Sequence, residues 1–351
     1  MDTLTHALSG ALLARATASK DAPPRSIPRR VAAGFLAAAA PDLDFVIGYA
    51  GPVEYLLHHR GVTHSVVLLP LWALLLAWLL AKILREPGGW RALYGVSALA
   101  LAAHIAGDVI TSFGTMVLAP LSDWRAGIGT TFIIDLWFSG IILAGLIASA
   151  FLYRSRWPAI AASVVLAGYV GFQYVQKEKA LELGEEYARS QGFTDAKVSV
   201  QPRPVSPFNW TVFVSDERAH RYAHVNLVRS EPRNSRPDDG FIAKLDSPYL
   251  PAPQAVWVTS TRYGHPPADA AAREAWESPA LAFFRWFADV PAFDGITEGS
   301  TCMWFSDLRF LTPGRDGMPF RFGACREAPG GSWRGYERGA NGTRVPLSSS
   351  P

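Results

Sequence analysis

Only two cysteines, Cys302 and Cys325, occur in the 351 residues, and that scarcity argues against a structural site built on thiolates. A lone pair does not fix a redox compartment, so a disulfide and two separate thiols both remain open. Basic runs interleaved with aromatics are also missing, and a net charge of +3 leaves no electrostatic footprint for nucleic acid. The first residues lack the basic start and the small-residue cleavage site of a signal peptide, since Asp2 and His6 stand where Lys or Arg would be expected. This segment is therefore expected to belong to the mature chain. Internal repeats are absent, so the paired broken helices of a two-halved transporter are not expected.

What is present changes character near Lys177. Before it the chain is dominated by Ala, Leu, Val, Ile, Gly and Trp; beyond it the composition is mixed and holds most of the prolines. This shift divides the chain into a transmembrane domain over 1–176, a soluble domain over 177–329 and a flexible tail over 330–351. Ser65 to Ala81 carries no charge and ends at Lys82 and Arg85. Leu93 to Ile110, Phe132 to Tyr153 and Trp157 to Val175 are comparable in length, and a spanning helix needs about 20 apolar residues. Four transmembrane helices are thus expected. The two apolar stretches before them, Thr3 to Thr17 and Val31 to Tyr49, predict one or two short or re-entrant helices. The expected fold is an α-helical polytopic membrane domain followed by a soluble mixed α/β or β-rich domain.

The Lys and Arg residues of 15–30, 82–91 and 154–156 emerge on one face, which the positive-inside rule makes cytoplasmic. A multi-pass protein of a bacterial-type inner membrane follows, with its C-terminal domain extracytoplasmic. In that domain Val198 to Gln201, Trp210 to Ser215, Tyr222 to Arg229, Ala255 to Thr261, Met303 to Phe310 and Phe320 to Ala324 read as strands. Ala268 to Ala288 reads as one helix whose Phe283, Phe284, Trp286 and Phe287 supply core. His220, His224 and His265 lack an acidic companion at ligand spacing and read as surface or core residues.

Five of the eight histidines, His6, His58, His59, His64 and His104, fall in the first 104 residues. His104 and Asp108 are four apart on an otherwise apolar helix, roughly 21 Å along it from Trp90. An idle Asp at that depth is expensive. Three further stretches carry matching groups: Thr5-His6, Pro41-Asp42-Leu43-Asp44, and His58-His59-Arg60-Gly61-Val62-Thr63-His64-Ser65. Singly each has a plain explanation. Asp42 and Asp44 suit a turn or cap, Arg60 could snorkel, Thr63, Ser65 and Thr111 suit caps, Gly114 permits a tight turn, and Asp135 suits a ligand or a partner for Arg125.

Jointly the four stretches point to one metal centre. Its expected ligands are His6, Asp42, Asp44, His64, His104 and Asp108, with His58 or His59 next. Mixed imidazole and carboxylate donors suit Zn, or Mn or Fe, as one ion or two. The chemistry of such a site is hydrolysis by metal-activated water, with Arg60 steadying an anionic oxygen and Asp44 or Asp108 as general base. A site recessed in the bilayer suggests an amphiphilic substrate, such as a lipid phosphate or lipid-linked ester. The lipid bilayer is the expected partner. The rival readings are a metal or proton transporter and a scaffold whose metal only ties helices together.

In order and spacing, Thr5-His6, the Asp42-Leu43-Asp44 box, His59 to Ser65, and His104-xxx-Asp108-xx-Thr111-xx-Gly114 resemble the YdjM-type family, described as membrane-bound metal-dependent hydrolases. The resemblance covers roughly residues 1–120. It favours His59 over His58 and implies that Arg60, Thr63 and Ser65 neighbour the site. It supplies no substrate. One family member is described as associating with the LexA repressor, so the resemblance also allows a non-enzymatic regulatory role.

Overall fold

The computed structural model describes every residue except 22, 24, 237, 298–300, 316, 329, 340, 341 and 348–351. The chain divides into two compact units, residues 1–46 with 58–175, and residues 47–57 with 176–351.

The first unit is helical. Helix α1, Thr3–Ala16, starts where the Asp2 side chain accepts from the Thr5 amide. Helix α2, Ser26–Ala39, runs without interruption into a 3-10 helix, Ala40–Ala50. The short α3, Pro52–His58, and a 3-10 turn at Val62–His64 precede α4, Leu69–Ile83. Helices α5, Gly89–Val109, and α6, Leu136–Phe151, follow, and α7, Trp157–Ser190, carries the chain into the second unit.

Small residues set how closely α1 and α2 approach. A Cβ on Gly10 would lie 2.2 Å from the Gly34 carbonyl oxygen, and one on Gly34 would lie 2.5 Å from the Gly10 carbonyl oxygen. Such backbone contact is how helices associate in lipid, where apolar side chains gain little by leaving one apolar solvent for another. Ala14, Ala33, Ala37, Ala77, Val96 and Ala100 continue the packing, all buried.

Among the described residues, three helices are long and apolar enough to cross a membrane: Ser26–Ala50, Gly89–Val109 and Trp157–Ser190. A fourth appears if the broken pair Pro52–His64 and Leu69–Ile83 is one span. The expected set of four helices is thus matched in part. Val31 to Tyr49 is no short or re-entrant piece, because the 3-10 helix carries the chain straight through Pro41 and both aspartates. Ser65 to Ala81 loses its first turn: Ser65 Oγ accepts from the Val67 and Leu68 amides, so α4 begins only at Leu69. Phe132 to Tyr153 shrinks to the 16 residues of α6, because Asp135 caps it through the amides of Trp137 and Phe138.

The second unit is sheet-rich. One sheet has β1, Lys197–Pro202, β2, Asn209–Ser215, and β3, Ala219–Asn226, in antiparallel order; β4, Leu250–Pro251, joins β3 in parallel and β5, Val258–Thr261, joins it antiparallel. Ala180 on α7 belongs to the same core as Val200, Trp210, Val212 and Val225, and Gly184 lets the helix sit against Val198 and Val212. The other sheet is an antiparallel meander of β6, Pro291–Ile296, β7, Thr301–Asp307, β8, Phe322–Arg326, β9, Arg334–Arg338, and β10, Arg344–Pro346.

Cys302 and Cys325 face each other across β7 and β8 and form a disulfide. Strands β9 and β10 take up part of 330–351, which the sequence reads as tail; residues 340, 341 and 348–351 of that stretch lie outside the described residues. The expected single helix over Ala268 to Ala288 breaks at Ser278-Pro279 into α9, Asp269–Glu277, and α10, Ala282–Phe287, because proline cannot donate into a continuing helix. Of its four aromatics, Phe284 and Phe287 are fully buried, Phe283 and Trp286 are partly so, and Phe284 lies 5.1 Å from Phe322, ring to ring. A short α8, Phe241–Asp246, completes the unit.

Candidate metal centre

Four elements of the first unit deliver the centre. On α5, His104 and Asp108 stand one turn apart with Nε2 and Oδ2 3.4 Å from each other, both fully buried. From α1, His6 stacks on the His104 ring at 3.7 Å and brings its Nε2 to 3.1 Å from Asp108 Oδ1. From the 3-10 helix, Asp42 Oδ1 lies 3.6 Å from His104 Nε2 and 3.7 Å from His64 Nε2. From the turn before α4, the buried His64 points Nε2 to within 2.9 Å of His104 Nε2 and 3.2 Å of Asp108 Oδ2. One ligand atom from each of His6, Asp42, His104 and Asp108 lies within 4.8 Å of every other.

The local chemistry of Pro41 sets much of this. Proline has no N–H, so it gives nothing to the carbonyls of Ala37 or Ala38, and the helix tightens to three residues per turn. The Ala38 carbonyl is left to accept from His104 Nδ1 at 2.6 Å. With its proton on Nδ1, His104 presents a bare Nε2 to the centre. The tighter turn also brings Asp42 and Asp44 to about 120° apart around the axis, rather than the about 160° of an α-helix. Leu43 between them is 63% exposed and points away.

Asp44 is engaged elsewhere. Its Oδ1 meets His59 Nδ1 at 2.7 Å, and its Oδ2 accepts from the Arg60 amide at 3.0 Å and the Thr63 hydroxyl at 2.9 Å. The same oxygen is 3.5 Å from His64 Nδ1, on the side of that ring away from the centre. His59 is thus joined to Asp44, while His58 is exposed.

Arg60 braces Asp108. Its Nη2 is 2.8 Å from Asp108 Oδ1, its Nη1 donates to Thr111 Oγ1, and the guanidinium lies 4.9 Å from the Phe113 ring centre. The Met1 amino group also donates to Asp108 Oδ1. Arg60 has φ of +60°, a left-handed conformation that costs a non-glycine residue energy and is held by its amide bond to Asp44 and its carbonyl bond from the Met116 amide.

Two other expectations resolve differently. Ser65 donates to the Ala119 carbonyl and anchors the turn rather than facing the centre. Asp135, read as a ligand or an Arg125 partner, caps α6 and accepts from Tyr169 and Gln173. Sequence reasoning missed the Ala38 carbonyl and the Phe113 ring. Pro41 was a usable signal for the first; nothing in the sequence marks the second.

The donors fit a divalent cation. Asp42 Oδ2 and Asp108 Oδ2 are buried without a hydrogen-bond partner, and Arg60 Nε is in the same condition. Two imidazole Nε2 atoms facing each other and flanked by carboxylate oxygens form a set whose like charges and lone pairs a cation would reconcile.

Compared with known proteins, residues 1–180 match the model of a family described as YdjM inner membrane protein. An uncharacterised protein of Bacillus subtilis (strain 168), YfhP, is 27% identical over 176 residues, which cover 48% of this chain. The match takes in 52% of that relative, so the chain spans about half the length of the curated protein it resembles. No solved structure matches.

Proposed function

Because the chain belongs to the YdjM inner membrane protein family, we propose that its buried His and Asp cluster is the centre of a membrane-bound, metal-dependent hydrolase acting on a phosphoester or ester of an amphiphilic substrate. The observation that carries the reading is the pair of buried, unpartnered carboxylate oxygens Asp42 Oδ2 and Asp108 Oδ2 inside an apolar helical unit, with Asp42 Oδ1 and Asp108 Oδ2 lying 3.7 and 3.2 Å from His64 Nε2. His6, Asp42, His64, His104 and Asp108 would hold the ion, Zn being the first candidate for this donor set and Mn or Fe the next. Bound there, the cation supplies Lewis acidity and a water acidified toward neutral pH.

The chain's own residues do the rest. Arg60, fixed by Asp108 and Thr111, offers its unpartnered Nε to an anionic oxygen of the substrate. Asp44 orients His64 and His59 instead of ligating or acting as base, since its oxygens already accept from His59, Arg60 and Thr63. Asp42 retains a free oxygen and some exposure, which suits it to take the proton of the attacking water. Leu4, Phe45 and Ile134, in the same unit, are each more than half exposed and offer apolar surface to a substrate with a lipid tail. The Cys302–Cys325 disulfide supports an extracytoplasmic C-terminal domain.

The test is elemental mass spectrometry on detergent-purified protein, wild type beside His64→Ala and Asp108→Ala, with helicity checked in each. One or two equivalents of a transition metal, lost from the folded variants, would sustain the reading and justify screening phosphoester substrates. Metal-free protein after repletion would remove it.

A further inference from the structure

At the opposite end of α1 from the metal centre, nine residues and about 13 Å along the helix from His6, lies a second feature that the hydrolase reading does not use. It is an open cavity of about 600 Å3 between the end of α1, the loop that follows it, and the turn joining α6 to α7. Four cations line it, Arg15, Lys20, Arg154 and Arg156, against one carboxylate, Asp21.

None of the four forms an ion pair among the described residues. Arg15 is 6% exposed and spends its guanidinium on the neutral carbonyls of Tyr153 and Ser155 at 2.9 and 2.5 Å. Arg156 donates to the Ala18 carbonyl and keeps a buried Nε with no partner. Two of the four charges are therefore held in place by neutral carbonyls, and the four outnumber the one carboxylate of the cavity. Backbone amides at the start of α7, a helix of 34 residues, add to this positive charge.

The cavity also opens at a membrane-interface signature. Tyr153 and Trp157 at its mouth are 56% and 65% exposed, and Phe151 and Leu152 next to them are 82% and 59% exposed on the apolar side. Amphipathic aromatics above bare aliphatic surface belong at headgroup level. We propose that this cavity binds the phosphate headgroup of an anionic phospholipid, whose acyl chains lie along the exposed apolar surface beside it. A basic pocket between helix ends at the interface is suited to that ligand, and each cation near the surface contributes about fivefold in affinity.

The experiment is native mass spectrometry of the full chain in detergent, titrated with phosphatidylglycerol or phosphatidylcholine. Wild type should retain phosphatidylglycerol preferentially. The double variant Lys20→Gln with Arg154→Gln, both exposed positions, should lose roughly 25-fold of that preference at an unchanged melting temperature. Arg156→Gln should weaken it independently. Equal retention of the two lipids by wild type, or a preference intact in both variants, would overturn the proposal. Displacement of the lipid by millimolar inorganic phosphate would assign the cavity to free phosphate and overturn the lipid assignment. Metal content should be the same in every variant, so this result and that for the hydrolytic centre can fail separately.

Discussion

Asp44, in the proposed centre, acts through the residues it binds. It holds His59, Thr63 and the Arg60 amide, and through Thr63 it backs the Nδ1 side of His64. Outer partners of this kind typically contribute 10–100-fold in metal affinity. Asp44→Asn keeps the shape and removes the charge, so the purified variant should bind metal about 10–100-fold more weakly in a chelator competition while staying folded; Asp42→Asn should abolish binding at the same chelator strength. Equal effects from the two substitutions would place Asp44 among the ligands.

His224 makes a comparable argument in the second unit. Burial, and after it the Arg203 guanidinium, push its imidazole down to about 3, while its Nδ1 meets Thr211 Oγ1 at 2.8 Å. The unfolded chain takes up this proton near pH 6.5 and the folded chain does not. The associated stability is therefore present above about pH 6.5 and is lost as pH falls from there toward 3, with a slope of up to about 1.4 kcal/mol per pH unit. Melting of the full chain followed through its sheet signal should show that loss, and His224→Gln should flatten it.

Among the elements, α1 and α2 depend on glycine for a reason the numbers make plain. Gly10 and Gly34 have ordinary helical φ, so their role is space and not conformational freedom; a side chain on either would collide with the carbonyl of the other. Gly10→Val must push the helices apart, and overpacking of that kind costs about 1–3 kcal/mol or more. Because α1 brings His6 and α2 leads to Asp42, the variant should melt earlier and also lose metal. Val substituted at Gly95 of α5, where a Cβ meets nothing within 4 Å, should leave both unchanged.

The 3-10 helix after α2 carries a second lesson at this scale. The Pro-Asp-Leu-Asp run could be read as a place where an apolar stretch ends. In the fold the helix tightens and continues, and the same proline that changes its pitch frees the carbonyl that orients His104.

For the whole molecule, the disulfide is the observation that bears on topology. Cys302 and Cys325 are 23 residues apart in sequence, and a cross-link of that span is worth about 2–4 kcal/mol to a domain. Cys302→Ser with Cys325→Ser should lower the stability of the sheet-rich unit by that order. Differential alkylation of intact cells should find the pair oxidised, as in an extracytoplasmic compartment; free thiols there would turn the proposed orientation over.

How much of this was written in the chain differs from part to part. The helical first half, the strands from Val198 to Ser215 and the coming together of His6, Asp42, His104 and Asp108 as a possible metal-binding group were legible, because hydropathy and an ionisable group in an apolar run are local signals with a large energetic cost behind them. Helix limits were less so, since Asp135 and Ser65 spend their polar atoms as caps and anchors, and a cap is recognised only from its partners. Strands β6, β9 and β10 were missed: β6 and β10 are edge strands, which need little patterning once a neighbour supplies their hydrogen bonds, and β9 lies between β8 and β10 in the stretch read as a tail. From the chain alone one can tell which groups are too costly to leave idle in an apolar helical unit. The fold adds where they stand, leaving Asp42 Oδ2 unpartnered and setting Asp44 against the Nδ1 side of His64, because the direction of a lone pair depends on backbone pitch and on neighbours far away in the chain.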